Sequence, residues 1–162
     1  ALMGFAWLLI AAALTGSFTA YTDTELAWRA PYVGRVDLVP FSPWIQATGF
    51  WSPWFGMPQP VLLVLLVLLV VGYAAFLFTP WARRLGPDLR FWSASYAIYL
   101  LAVFFPQSST FRLLMPLAPL VGALAQPRSR IYRVLLVLLF IAGQWAWIHI
   151  GWWVDGYDWT PP

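Results

Sequence analysis

The sequence contains no cysteine, which excludes a disulfide framework and a thiolate metal site and leaves the redox compartment unmarked. It also lacks lysine, and its single histidine is His149. No histidine pair is therefore available at metal-ligand spacing, and no Ser-His-Asp set has a histidine to spare. A glycine-rich loop of the kind that cradles a nucleotide phosphate is also missing. Nucleotide-driven pumping, zinc hydrolysis and triad chemistry are accordingly not expected of this chain. Charge is the other scarcity: only 9% of the 162 residues are charged, against roughly 25% in an average soluble domain.

What fills the space is apolar. Hydrophobic residues make up 62% of the chain, and they gather into bilayer-length runs instead of alternating with polar ones. The composition predicts a chain whose solvent is lipid. Because all 9 basic residues are arginine, with many Ala, Pro and Trp, it also fits coding from a GC-rich genome. The net charge of +3 does not point to nucleic acid, since membrane proteins collect arginine at their cytoplasmic ends.

A helix needs about 20 residues at 1.5 Å per residue to cross a hydrocarbon core of roughly 30 Å. Segments 1–18, 60–78, 91–105, 113–125 and 134–153 approach this. The clearest, 60–78, reads PVLLVLLVLLVVGYAAFLF, with proline in its first turn and Pro80 at its exit. Segment 113–125 is short, and Pro116 and Pro119 each remove a helical hydrogen bond. It is expected to be kinked or partly unwound and sheltered by protein. The predicted fold class is an all-α polytopic membrane protein with about five transmembrane helices, one of them proline-broken, and a long outer aromatic loop. The chain opens at Ala1 inside an apolar run with no basic lead, which suggests the remainder of a longer chain more than a signal peptide.

Charge sets the expected orientation. Trp81 to Arg90 carries Arg83, Arg84 and Arg90 against Asp88, and Gln126 to Arg133 carries Arg128, Arg130 and Arg133 with no acid. Both loops belong inside by the positive-inside rule. The other surfaces hold Asp23, Glu25, Asp37, Asp155 and Asp158 against Arg29, Arg35 and Arg112; five acids less three bases leave minus two. They belong outside, and threading the spans between these sides gives a multi-pass protein of the cell membrane with its C-terminus outside. The outer connection 19–59 is long enough to be functional. Its first part, Tyr21 to Ala30, has the composition of an interfacial helix. Its second, PFSPWIQATGFWSPWFGMPQP, alternates Pro, Gly and Trp too closely for a regular element and is expected to be a bent aromatic loop in the headgroup layer.

A charge near the bilayer must be paired, hydrated or bound. Arg112, in PQSSTFRLLMP, has Gln107, Ser109 and neighbouring hydroxyls beside it, a set suited to a phosphate or pyrophosphate headgroup. The plainer reading is a snorkelling arginine, or one paired with Asp23, Glu25 or Asp37. Asp23 and Glu25, followed by Trp28 and Arg29, offer carboxylates for a hydroxyl proton, a sugar or a metal; the plainer reading is an i, i+4 pair between Glu25 and Arg29. His149 is either a proton-transfer or substrate-contact group or a hydrogen-bonding partner of another helix. The terminal tryptophans, Trp145 to Trp159, suit either sugar stacking or an aromatic belt.

AYTDTELAWR after a span, a long aromatic outer segment, and then FFPQSSTFRLLMPLAPLVGALA resemble the C-terminal half of PIG-V-like mannosyltransferases, especially their bacterial membrane homologues. Tyr21 to Arg29 and Ser109 to Pro119 carry the resemblance. It implies a GT-C architecture and a polyprenyl-phosphate-mannose donor used on the non-cytoplasmic face, with no cofactor and no assigned metal. It also implies a catalytic carboxylate upstream of this segment. Arg112, with Ser109 and Gln107, would contact the donor phosphate, and Asp23, Trp28, Arg29 and His149 would complete the substrate side. Residues 41–55 would shape the acceptor side. The transfer would be inverting: a carboxylate deprotonates the acceptor hydroxyl while arginine stabilises the leaving phosphate. The implied partners are membrane lipid, the polyprenyl-phosphate sugar, and the N-terminal part of the same protein or another membrane subunit. A non-catalytic membrane subunit and a transporter fragment using the broken 113–125 segment are the rival readings.

Overall fold

The Leu/Val run after Pro58 has no polar face, and in the computed structural model, which describes residues 6–34, 36, 39–106 and 109–149, it forms a single helix. In chain order the elements are α1 (Ala6–Thr15), α2 (Ala20–Val33), α3 (Ser42–Phe55), α4 (Gln59–Leu77), α5 (Pro80–Arg83), α6 (Gly86–Val103), α7 (Thr110–Leu113), a 3₁₀ turn (Met115–Leu117), α8 (Pro119–Leu124) and α9 (Arg130–Ile148). Helix is the regular secondary structure of the described residues, with no strand among them.

Two helices, α4 and α9, are long and apolar enough to cross a membrane, with mean hydropathies of 2.8 and 1.8, and neither buries any of its apolar window. A helix that is hydrophobic all round is ordinarily enclosed by protein or by lipid. Here the protein does not enclose it. Val64, Val67, Leu68 and Leu69 are each 59–63% exposed. Half-burying one such side chain is worth about 1 kcal/mol, so in water this stripe would leave several kcal/mol unused.

Segment 113–125 breaks where its prolines require it. Pro116 has no N–H to give, so the chain tightens: Leu117 N–H donates to Leu114 O at 2.9 Å and Ala118 N–H to Met115 O at 2.9 Å. This leaves carbonyls without their α-helical donors, and α6 supplies replacements. Tyr96 Oη donates to Leu113 O at 2.7 Å, and Trp92 Nε1 to Pro116 O at 3.0 Å.

Residues 41–55 differ from expectation: they form the regular helix α3, not a bent loop. Proline and glycine density suggests breakage only when those residues fall mid-element. Pro43 lies in the first turn, where a missing N–H costs nothing, and Gly56 takes the left-handed C-cap at φ 61°. Pro53 falls in the last turns. Phe41, with φ 70°, turns the chain into the helix. Trp81 to Arg90 is also more ordered than a loop, since it comprises α5 and the first turns of α6.

The two arginine-rich connections meet. Arg84 Nη1 donates to Gln126 Oε1 at 3.3 Å, and Gln126 Nε2 to Trp81 O at 3.0 Å. At the other end of the helices a core forms from Ala47, Trp51 and Phe105, with Val33, Leu62 and Trp147 packed against it. Helix α9 buries no residue and is tied at its ends: Tyr132 Oη donates to Leu124 O at 2.9 Å, and Trp147 meets Trp51 and Phe111 at ring separations of 6.1 and 4.9 Å.

Candidate functional site

Helix α6 ends inside the protein, so its last carbonyls need donors from elsewhere. They come from α2, α3 and the turn between them. Phe41 N–H donates to Ala102 O at 2.9 Å and Arg29 Nη2 to Val103 O at 2.8 Å, while Trp44 Nε1 adds a second donor at 2.9 Å to Leu100 O, which already accepts from Phe104 N–H. Just beyond, Trp51 Nε1 reaches Pro106 O at 3.1 Å. The 41–55 segment thus caps α6.

Arg29 is the centre of this arrangement and is only 9% exposed. Glu25, one turn earlier on α2, accepts from Arg29 Nη2 at 2.7 Å and from Nε at 3.2 Å. The acid lies on the N-terminal side of the base, the better orientation for such a pair. A cation at a helix C-terminus also complements the helix dipole. The Glu25–Arg29 pair is as spaced in the sequence, but Arg29 faces into the fold and is occupied there.

The other members of YTDTELAWR do not join it. Asp23 is exposed in the first turn of α2 and accepts from Thr19 Oγ1 at 2.7 Å. Trp28 is 67% exposed. The two carboxylates are therefore not assembled into one acid-base pair, and among the described residues no group of three or more His, Asp or Glu could hold a metal.

Arg112 has the opposite setting. It lies in the single turn of α7, exposed, with Nη2 donating to Ser109 Oγ at 3.1 Å. Among the described residues no carboxylate pairs with it: Glu25 is held by Arg29 and Asp23 by Thr19. Gln107 lies outside the described residues. Phe111 stands edge-on to Trp147, with the rings at 86°, which anchors α7 while the next side chain, Arg112, stays open. His149 stacks on Trp145, ring to ring at 5.6 Å and 4°, and is exposed. Trp152, Trp153 and Trp159 lie outside the described residues. Nearby, a cleft of about 290 Å³ is lined by Val33, Gln46, Gly49 and Phe50.

Trp44 and Trp51 were not singled out as functional, and the signal for them is their spacing. Seven residues apart, they share one face once 42–55 is read as a helix. The chain matches no family model, no curated protein and no solved structure.

Proposed function

We propose that this chain is the C-terminal membrane part of a PIG-V-like glycosyltransferase, and that Arg112 with Ser109 receives the phosphate of a polyprenyl-phosphate-mannose donor on the non-cytoplasmic face. The observation that carries the reading is an exposed arginine, steadied by a hydroxyl at 3.1 Å and lacking a carboxylate partner among the described residues. A planar guanidinium offers paired donors to phosphate oxygens, and Ser109 Oγ adds another hydrogen-bonding group beside them.

In this reading α4 and α9 span the bilayer, joined by α1, α6 and the broken segment. The meeting of the two arginine-rich connections at one end supports placing both in the cytoplasm. The opposite end, with α2, α3 and α7, then faces outward, as does the C-terminus. Arg112 stabilises negative charge as the lipid phosphate leaves, and the base that deprotonates the acceptor hydroxyl lies outside this segment. Arg29, occupied by Glu25 and Val103, positions the exit of α6 and does not touch the donor. The cleft beside Gln46 and Gly49 lies on the acceptor side.

The test is mannosyl transfer from polyprenyl-phosphate-mannose in membranes carrying the full-length protein, with Arg112→Ala compared at matched expression. A loss of at least about tenfold, with folding intact, is expected from removing a charged contact to a developing anion. Unchanged transfer takes Arg112 out of the site. No transfer by the wild type shifts the reading to a non-catalytic subunit or a transporter.

A further inference from the structure

A topological signal needs positive charge in each cytoplasmic connection, but it does not need those connections to touch. Here they are joined. Gln126 accepts from Arg84 at 3.3 Å and donates to Trp81 O at 3.0 Å. Beneath this link α5 packs against α8, and Ala82 and Ala123 are each 0% exposed. Small residues at both positions let the backbones approach closely.

The arginines on this seam divide into two groups. Arg90 Nε donates to Leu77 O at 2.9 Å and Arg133 Nε to Pro127 O at 2.9 Å, so both serve the backbone. Arg83, Arg128 and Arg130 are exposed and have no hydrogen-bond partner among the described residues, and Arg84 meets only the neutral Gln126 amide. The one acid in these connections, Asp88, forms no ion pair among the described residues. Trp81, 44% exposed, lies beside them.

We propose that the α5–α8 seam is a binding site for the headgroup of an anionic phospholipid, whose phosphodiester bridges Arg83 and Arg84 on one side and Arg128 and Arg130 on the other. Exposed guanidinium groups drawn from two joined connections suit the spread oxygens of a phosphodiester. The site rests on the membrane part of the proposed function and is independent of the transferase part.

The test uses the full-length protein reconstituted with mixed phosphatidylglycerol and phosphatidylcholine, then released and weighed by native mass spectrometry with its retained lipids. The wild type is expected to retain phosphatidylglycerol over phosphatidylcholine by roughly tenfold. Combining Arg83→Gln, Arg128→Gln and Arg130→Gln is expected to bring that ratio near parity. Gln126→Ala keeps every charge, and hence the insertion signal, and is expected to lose at least half of the preference. Equal retention by the wild type, or a preference that survives either seam variant, overturns the site. Release of the lipid by excess inorganic phosphate reassigns it to a soluble anion. Flotation with phosphatidylcholine vesicles is read separately: failure to float sinks the membrane reading, whereas flotation with equal lipid retention sinks only the headgroup site.

Discussion

Arg29 donates to the carbonyl oxygen of Val103 at 2.8 Å across 74 positions of sequence. One side chain thereby closes a local ion pair and terminates a distant helix. Arg29→Ala should cost about 2 to 4 kcal/mol of stability, because it leaves Glu25 without its partner and Val103 O without its donor. Arg29→Lys should recover only part, since one ammonium cannot reproduce the guanidinium fork. Denaturant unfolding in detergent checks both, with a stability of Arg29→Ala within error of wild type refuting the capping role.

Trp51 is 7% exposed and packs against Phe50, Phe55 and Trp147. Trp51→Ala should cost about 3 to 5 kcal/mol. Trp51→Phe keeps most of the packing but loses the hydrogen bond to Pro106 O, and should cost closer to 1 kcal/mol from that bond. Comparing the two unfolding midpoints separates ring from N–H; equal losses would mean that the indole N–H dominates.

Much of the helical framework was legible in the sequence, but not its cross-links. The apolar run after Pro58 and the two prolines of 113–125 carry local signals, and their elements lie where those signals put them. Glu25 and Arg29 are neighbours by helical spacing alone, and so are Ser109 and Arg112. The capping of α6 was not legible, because Phe41, Trp44 and Arg29 find their carbonyl partners through tertiary contact. Helix α3 was missed for a related reason: what matters is where proline and glycine fall relative to the helix ends, and their local density does not tell.

Arg112 is exposed and bonded only to Ser109 among the described residues, so its replacement should leave the unfolding midpoint where it is. Arg112→Ala should therefore separate from Arg29→Ala in a paired measurement of stability and transfer: the first loses transfer alone, the second loses both. Arg112→Lys should retain an intermediate rate. A drop in stability for Arg112→Ala equal to that of Arg29→Ala would assign Arg112 to the scaffold.

The hydroxyl of Tyr96 replaces a helical N–H that Pro116 displaces, which makes the two residues energetically linked. Tyr96→Phe should cost about 1 kcal/mol in the native background. In a Pro116→Ala background the chain can restore the helical donor to Leu113 O, and the cost should shrink. A double-mutant cycle measures the difference, and strict additivity would show that Tyr96 does not compensate for the break.

Helix α9 is tied to its neighbours at Tyr132 near one end and Trp147 near the other, and its middle buries nothing. Mechanically it is a strut pinned at two points. In the proposed membrane setting, a bilayer thinner than the strut favours tilting it, and tilt moves the pins relative to each other. The upper pin, Trp147, bears on Phe111, the residue next to Arg112. In that setting, the thickness of the surrounding lipid would therefore bear on the contact beside the exposed guanidinium.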